Sequence, residues 1–250
     1  MAKPGAFAIL DGGLGHELKR RGVKVPDGVV HEGGVEGTFI PGVLANRFDP
    51  NAVVDLHLEF IESGANVITT NSFIATPFWL RKVGLERELE QLIGSALSCA
   101  SKARAASARG RDISIAGSLP PLTESYHNAA LTMPQDVMVE DYTKIVNSLK
   151  AGVDVFLCET LASIAEAEAC LEAIRRAGTA KPVWISFTVE DVGSAEHSHL
   201  RGGEKLEDAV QAVCKHDNVK AVLVNVSATK RIIRAIPLMV FYPTVLFTLR

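Results

Sequence analysis

The chain has 250 residues, 47% of them hydrophobic and 22% charged, with a formal net charge of −3. That length fits one large domain or two small ones, and the apolar fraction is enough to fill a substantial core. The balanced charge shows no bias toward nucleic acid or anionic membrane. The basic residues at Lys19-Arg20-Arg21 and at Lys102, Arg104, Arg109 and Arg111 read as a solvated helix face and its loop.

Short β-rich apolar runs alternate with longer helical segments. Residues 6–10 read as a first strand. Residues 51–63 read as a helix, with Val53, Val54, Leu56, Leu58, Phe60 and Ile61 among polar residues and Gly64 at its end. Residues 66–70 form a second strand, 86–109 a long helix rich in Ala, Leu and Glu, and 113–116 a third strand. A helix over 137–151, closed by Gly152, leads to a fourth strand at 153–158. A helix over 163–177 ends before Gly178, and a fifth strand covers 183–188. Residues 206–215 form a helix and 221–226 a sixth strand. A short helix at 229–236 and a seventh strand at 244–249 complete the pattern. The apolar stretch 236–249 is shorter than the ~18–20 residues of a membrane span, and Pro237 and Pro243 interrupt it.

Alternating strands and helices, with nearly continuous apolar strands, argue for a parallel sheet covered by helices. Periodicity does not separate an open doubly wound sheet from a barrel. Polar residues at the C-terminal ends of the strands favour the barrel: Asp11, Asn71, Ser118, Glu159, Thr188 and Asn225 sit where barrel enzymes build their sites. No G-x-G-x-x-G follows the first strand, which weighs against a dinucleotide fold.

Asp11 ends the first strand, and Gly12 and Gly13 let the chain turn and a ligand approach the backbone. The competing role for Asp11 is to cap the next helix. Glu159 ends the fourth strand. Side chains alternate along a strand, so an inward Glu159 sends Cys158 out toward the helices as a small buried hydrophobe. A buried carboxylate needs a partner; a ligand ammonium or an internal ion pair would supply it. The four cysteines, Cys99, Cys158, Cys170 and Cys214, form no C-x-x-C pair. The N-terminus Met-Ala-Lys-Pro-Gly lacks the apolar run of a secretory signal, so a cytoplasmic protein with reduced thiols is expected.

Four segments in order, Leu10-Asp11-Gly12-Gly13-Leu14-Gly15-His16-Glu17-Leu18, Thr69-Thr70-Asn71-Ser72-Phe73, Ala116-Gly117-Ser118-Leu119-Pro120-Pro121 and Cys158-Glu159-Thr160, resemble the homocysteine S-methyltransferase family. That resemblance implies a (β/α)8 barrel that moves a methyl group from a sulfonium donor, S-methylmethionine or S-adenosylmethionine, to homocysteine, giving methionine. It implies a substrate site of Asp11, Gly12, Gly13, Thr70, Asn71, Ser118, Glu159, Thr160 and Asn225, with Glu159 on the substrate's amino group. The family holds zinc with three cysteine thiolates. One follows the asparagine of a Val-Asn-Cys segment, where this chain has Val224-Asn225-Val226; the other two form a Gly-Gly-Cys-Cys segment, which does not occur up to Arg250. The expectation is therefore a single homocysteine-binding-type domain over 1–250, truncated before its last β/α unit, with six or seven strands. Its ligand would be a small molecule, with no nucleic acid or membrane partner, no bound zinc and no catalytic side chain to name. The alternative is an inactive homologue that keeps the amino acid pocket or acts as an oligomer through an open sheet edge.

Overall fold

Three helices begin where a side-chain oxygen can receive the first free backbone amides. Asp49 accepts from Ala52 N at the start of Pro50–Glu62, Thr76 from Trp79 N at the start of Pro77–Lys82, and Ser163 from Glu166 N at the start of Ile164–Arg176. The first two also place proline in the first turn, where its missing N–H costs nothing. The computed structural model describes residues 8–23, 40–124, 133–190 and 198–225. Contacts divide the chain into two units, Met1–Ser118 with Asn147–Asp154, and Leu119–Val146 with Val155–Arg250.

The first unit contains α1 (Leu14–Arg20), α2 (Ile40–Phe48), α3 (Pro50–Glu62), β1 (Val67–Thr69), α4 (Pro77–Lys82), α5 (Leu89–Ala106) and most of β2 (Ser114–Leu119). Leu14 and Leu18 of α1, Ala45 of α2, Val53 and Leu56 of α3 and Cys99 of α5 form one apolar cluster, flanked by Val23, Ala52, Val54 and Phe60. Burying each large side chain contributes roughly 1.5–3 kcal/mol. β1 lies parallel to β2, with Val67 opposite Ser114 and Thr69 opposite Ala116. Leu10 makes a single parallel bridge to Val67, and Asp11 N donates to Val67 O at 3.0 Å. The expected first strand is represented by this bridge alone, since residues 1–7 are outside the described set.

The second unit contains α6 (Gln135–Leu149, entering it through Val146), β3 (Val155–Leu161), α7 (Ile164–Arg176), β4 (Val183–Phe187), α8 (Leu206–Val213) and β5 (Val219–Val224). Its strands are parallel and follow chain order. Cys158 pairs with Ile185, and Ile185 with Val222, so these three share a face. That face meets helices: the Cys170 thiol of α7 lies within hydrogen-bond reach of both Cys158 and Tyr142 of α6. The outward direction expected for Cys158 is thus observed. Burial pushes the Cys170 thiol and the Tyr142 phenol well up from their ordinary values. Tyr142 Oη donates to Pro120 O at 2.9 Å. Tyr142→Phe strands that carbonyl and is expected to cost about 1–2 kcal/mol, read from the urea unfolding midpoint; an unchanged midpoint would deny the bond any net worth.

The strands run parallel with helices between them, as expected. Their ends differ. The third expected strand extends to Leu119 and the fourth to Leu161, while the long helix after residue 86 begins as a 3-10 turn, Glu86–Glu88, before α5. Among the described residues no helix is long and apolar enough to cross a membrane. The expected helix at 229–236, the strand at 244–249 and Val226 lie outside the described residues.

Candidate functional site

Polar residues collect at the C-terminal ends of the strands in both units. In the first unit, buried Asp11 directs its carboxylate onto the end of β1. Oδ2 accepts from Thr69 N at 2.7 Å and Oδ1 from Thr69 Oγ1 at 2.9 Å. Gly12 follows and lets Phe60 pack close: a Cβ there would lie 2.6 Å from the Phe60 ring, which would have to shift. Gly13 is the N-cap of α1 and offers no side-chain cap. Thr70 Oγ1 accepts from Ser118 N at 3.0 Å and shares a hydrogen bond with Ser72 Oγ at 2.9 Å. Thr70 thereby ties the end of β1 to β2.

Asn71 is held by α2. Its Nδ2 donates to Gly42 O at 2.7 Å and to Asn46 Oδ1 at 3.1 Å; Asn46 Nδ2 returns a bond to Asn71 O at 2.7 Å and also reaches Val43 O at 2.8 Å. Both side chains are buried. The Asn71 amide hydrogens are therefore spent on the fold. Only its Oδ1 could turn to a ligand.

In the second unit, Glu159 lies within β3, which runs on to Leu161 instead of closing at Glu159 as expected; its side chain is on the face opposite Cys158, away from the helices, and is buried. Alternation puts Trp184, Ser186 and Thr188 of the β4 segment on that same face. Ser186 Oγ is buried and has no hydrogen-bond partner among the described residues. Asn225 follows β5, where its N donates to Phe187 O at 3.1 Å and its Nδ2 donates to Thr160 Oγ1 at 2.9 Å. Thr160 has φ +63°, the left-handed region, and is the one non-glycine residue there among the described residues. For a β-branched side chain this costs on the order of 1–3 kcal/mol.

The loop after β4 folds back on α7. Arg201 Nε donates to Thr188 Oγ1 at 3.0 Å, Gly202 N donates to Ala162 O at 2.8 Å, and Ile164 N donates to Glu204 at 3.1–3.2 Å. Glu166 Oε2 accepts from Ala162 N at 2.8 Å and Ser163 Oγ at 3.3 Å. Burial raises the pKa of Glu166 and Glu204, while the amide hydrogen bonds pull the other way. Arg201, Asn46 and Thr69 had no short-range signal in the sequence, because each acts through a partner far along the chain.

The cysteines do not offer a zinc cage. Cys99 Sγ faces the carbonyls of Asn46 and Pro50, each at 3.8 Å. Cys158 and Cys170 lie buried behind β3 with a tyrosine, and Cys214 is exposed at the end of α8. Three thiolates are needed, and desolvation raises the Cys99, Cys170 and Cys214 thiols instead of favouring the charged form that binds metal. Among the described residues no group of three or more His, Cys, Asp or Glu could hold an ion. His199 bridges to Lys205 in the loop backbone. The described donors do not fit a three-thiolate site.

A family model described as homocysteine S-methyltransferase matches residues 8–245. The chain belongs to that family. Similar curated relatives include the homocysteine S-methyltransferase of Escherichia coli (strain K12), 28% identical with 87% of this chain and 68% of that protein covered. Another is homocysteine S-methyltransferase 1 of Brassica oleracea var. italica, 24% identical over 89% of this chain and 69% of the relative. The metallated form of the homocysteine methyltransferase MmuM from Escherichia coli superposes with a TM-score of 0.80 at 24% identity, covering 98% of this chain and 84% of that one. The same protein's oxidized form gives 0.74 at 22% identity, over 97% and 91%. These likenesses establish the barrel-type parallel α/β fold expected from the strand pattern.

Proposed function

We propose that this chain binds L-homocysteine as a methyl acceptor, with Glu159 taking the ammonium group and S-methylmethionine or S-adenosylmethionine as the donor class. The supporting observation is the buried Glu159 carboxylate in the C-terminal half of β3, on the face away from the helices, in a chain matched to this family over residues 8–245. A substrate ammonium would add a charge partner to that buried carboxylate. Ser186 Oγ, on the same face, is the side-chain hydroxyl available to a second polar group of the amino acid. Asp11, already holding Thr69, acts in this reading as a fixed acceptor and shape element at the end of β1.

The transfer balances simply. The substrate sulfur forms a bond to the methyl carbon, the donor's carbon–sulfonium bond breaks, and the donor leaves as a neutral thioether. The thiol proton passes to water. A free thiol of pKa ~8.5 is mostly protonated at neutral pH, so the unassisted reaction is slow.

The test combines isothermal titration of the purified chain with L-homocysteine and an assay for methionine formation from each donor, with and without added zinc. Saturable L-homocysteine binding that discriminates against L-cysteine supports the reading. Absence of any saturable binding up to millimolar ligand would refute it. Binding without turnover would place this chain as the acceptor-binding part only.

A further inference from the structure

The left-handed Thr160 is the most constrained backbone position described, and it directly follows Glu159. A residue with φ near +60° redirects the chain, so β3 loses register with β4 between Cys158 and Leu161. The turn is closed on both sides. Thr188 N donates to Leu161 O at 2.9 Å just beyond it, and Asn225 Nδ2 reaches across from the end of β5 to Thr160 Oγ1 at 2.9 Å. Asn225 is itself fixed by its backbone bond to Phe187 O. Thr160 and Asn225 are both buried.

We propose that Asn225 and Thr160 are positioning residues for Glu159: the amide holds Thr160 left-handed, and that turn fixes the direction of the carboxylate one residue earlier. The proposal rests on the reading of Glu159 as the ammonium partner, and it changes the role of two residues that sequence resemblance alone assigns to the ligand. Asn225 commits one Nδ2 hydrogen to Thr160, and in this proposal it acts on the substrate through that bond, at one remove. Strain of this kind persists only where surrounding bonds over-determine it, and it concentrates where a side chain must be aimed.

The experiment uses the full chain in four variants, read by L-homocysteine titration, thermal melting and a crystal structure of Asn225→Ala. Asn225→Ala is expected to weaken L-homocysteine about tenfold. Thr160→Val, which keeps the shape and removes the acceptor oxygen, is expected to match it. Thr160→Ser, which keeps the oxygen, should bind within about threefold of the natural chain. The decisive variant is Thr160→Gly combined with Asn225→Ala. Glycine adopts φ > 0 without a clamp, so affinity should return to within about threefold of the natural chain. A direct ligand role for Asn225 predicts no such rescue, and that result would overturn the proposal. If the natural chain binds no L-homocysteine, the functional reading fails, and the crystal structure decides this proposal alone. Thr160 should leave the left-handed region and the Glu159 carboxylate should shift; an unmoved Thr160 and Glu159 would refute it. Should the alanine variant not fold, the double variant and Thr160→Ser carry the same comparison.

Discussion

Acidification from pH 7 to pH 4 is expected to cost this protein on the order of 3 kcal/mol through one histidine. His57 lies in the middle of α3, fully buried, and neither ring nitrogen has a hydrogen-bond partner among the described residues. Burial lowers its pKa from 6.5 to about 4. Between those values the unfolded chain takes up a proton that the folded protein refuses. The contribution to stability is therefore fully present above pH 6.5, falls as pH drops through the window, and is spent below about 4. At ~1.4 kcal/mol per pH unit the interval gives the stated loss. Glu166 works in the opposite sense, because a raised carboxyl pKa favours the folded state as it protonates. The control is therefore His57→Leu, which removes the titration and leaves Glu166 in place. Urea midpoints measured at pH 7, 6, 5 and 4 should fall steeply for the natural chain and less for the variant. Parallel slopes would mean that His57 is not the sensor.

Glu159→Gln should abolish useful affinity for L-homocysteine while leaving the fold intact. The change is nearly isosteric; it removes the charge and turns one acceptor oxygen into an NH2 donor. Truncating one partner of a buried charge pair costs several kcal/mol, so the dissociation constant is expected to rise by about two orders of magnitude or more. The melting temperature should stay close to that of the natural chain, since the substitution conserves side-chain size and shape. Retained affinity in Glu159→Gln would move the ammonium site elsewhere, with Asp11 the next carboxylate to change.

Much of this architecture was legible in the sequence because it rests on local pattern. The apolar spacing in α3 and Gly64 at its end placed that helix within a residue at each end, while its Asp49 cap came only with the structure. Period-two alternation was enough to send Cys158 toward the helices and Glu159 the other way. The three short helices were missed for local reasons too. α1 opens directly after Gly12-Gly13, α2 carries Pro41 and Gly42, and α4 has a single strong turn of apolar residues. β3 was cut short at Cys158 because nothing in the sequence marks Thr160 as left-handed; threonine rarely goes there. The site was legible as residue types at strand ends and illegible as wiring. That Asn71 is clasped by Asn46, that Asp11 grips Thr69, and that Asn225 reaches Thr160 are facts of long-range geometry.

The distribution of thiols makes the chain its own reporter. Of four cysteines only Cys214 is exposed, while Cys99 is shut inside the first unit and Cys158 and Cys170 inside the second. A small alkylating probe therefore adds one mass increment to the native protein and further increments only when a unit opens. Cys99 marks opening of one unit and the Cys158–Cys170 pair marks the other, so peptide mapping of the labelled chain separates the two events without any added fluorophore. Whether the units open together or in sequence becomes a matter of counting modified peptides against time.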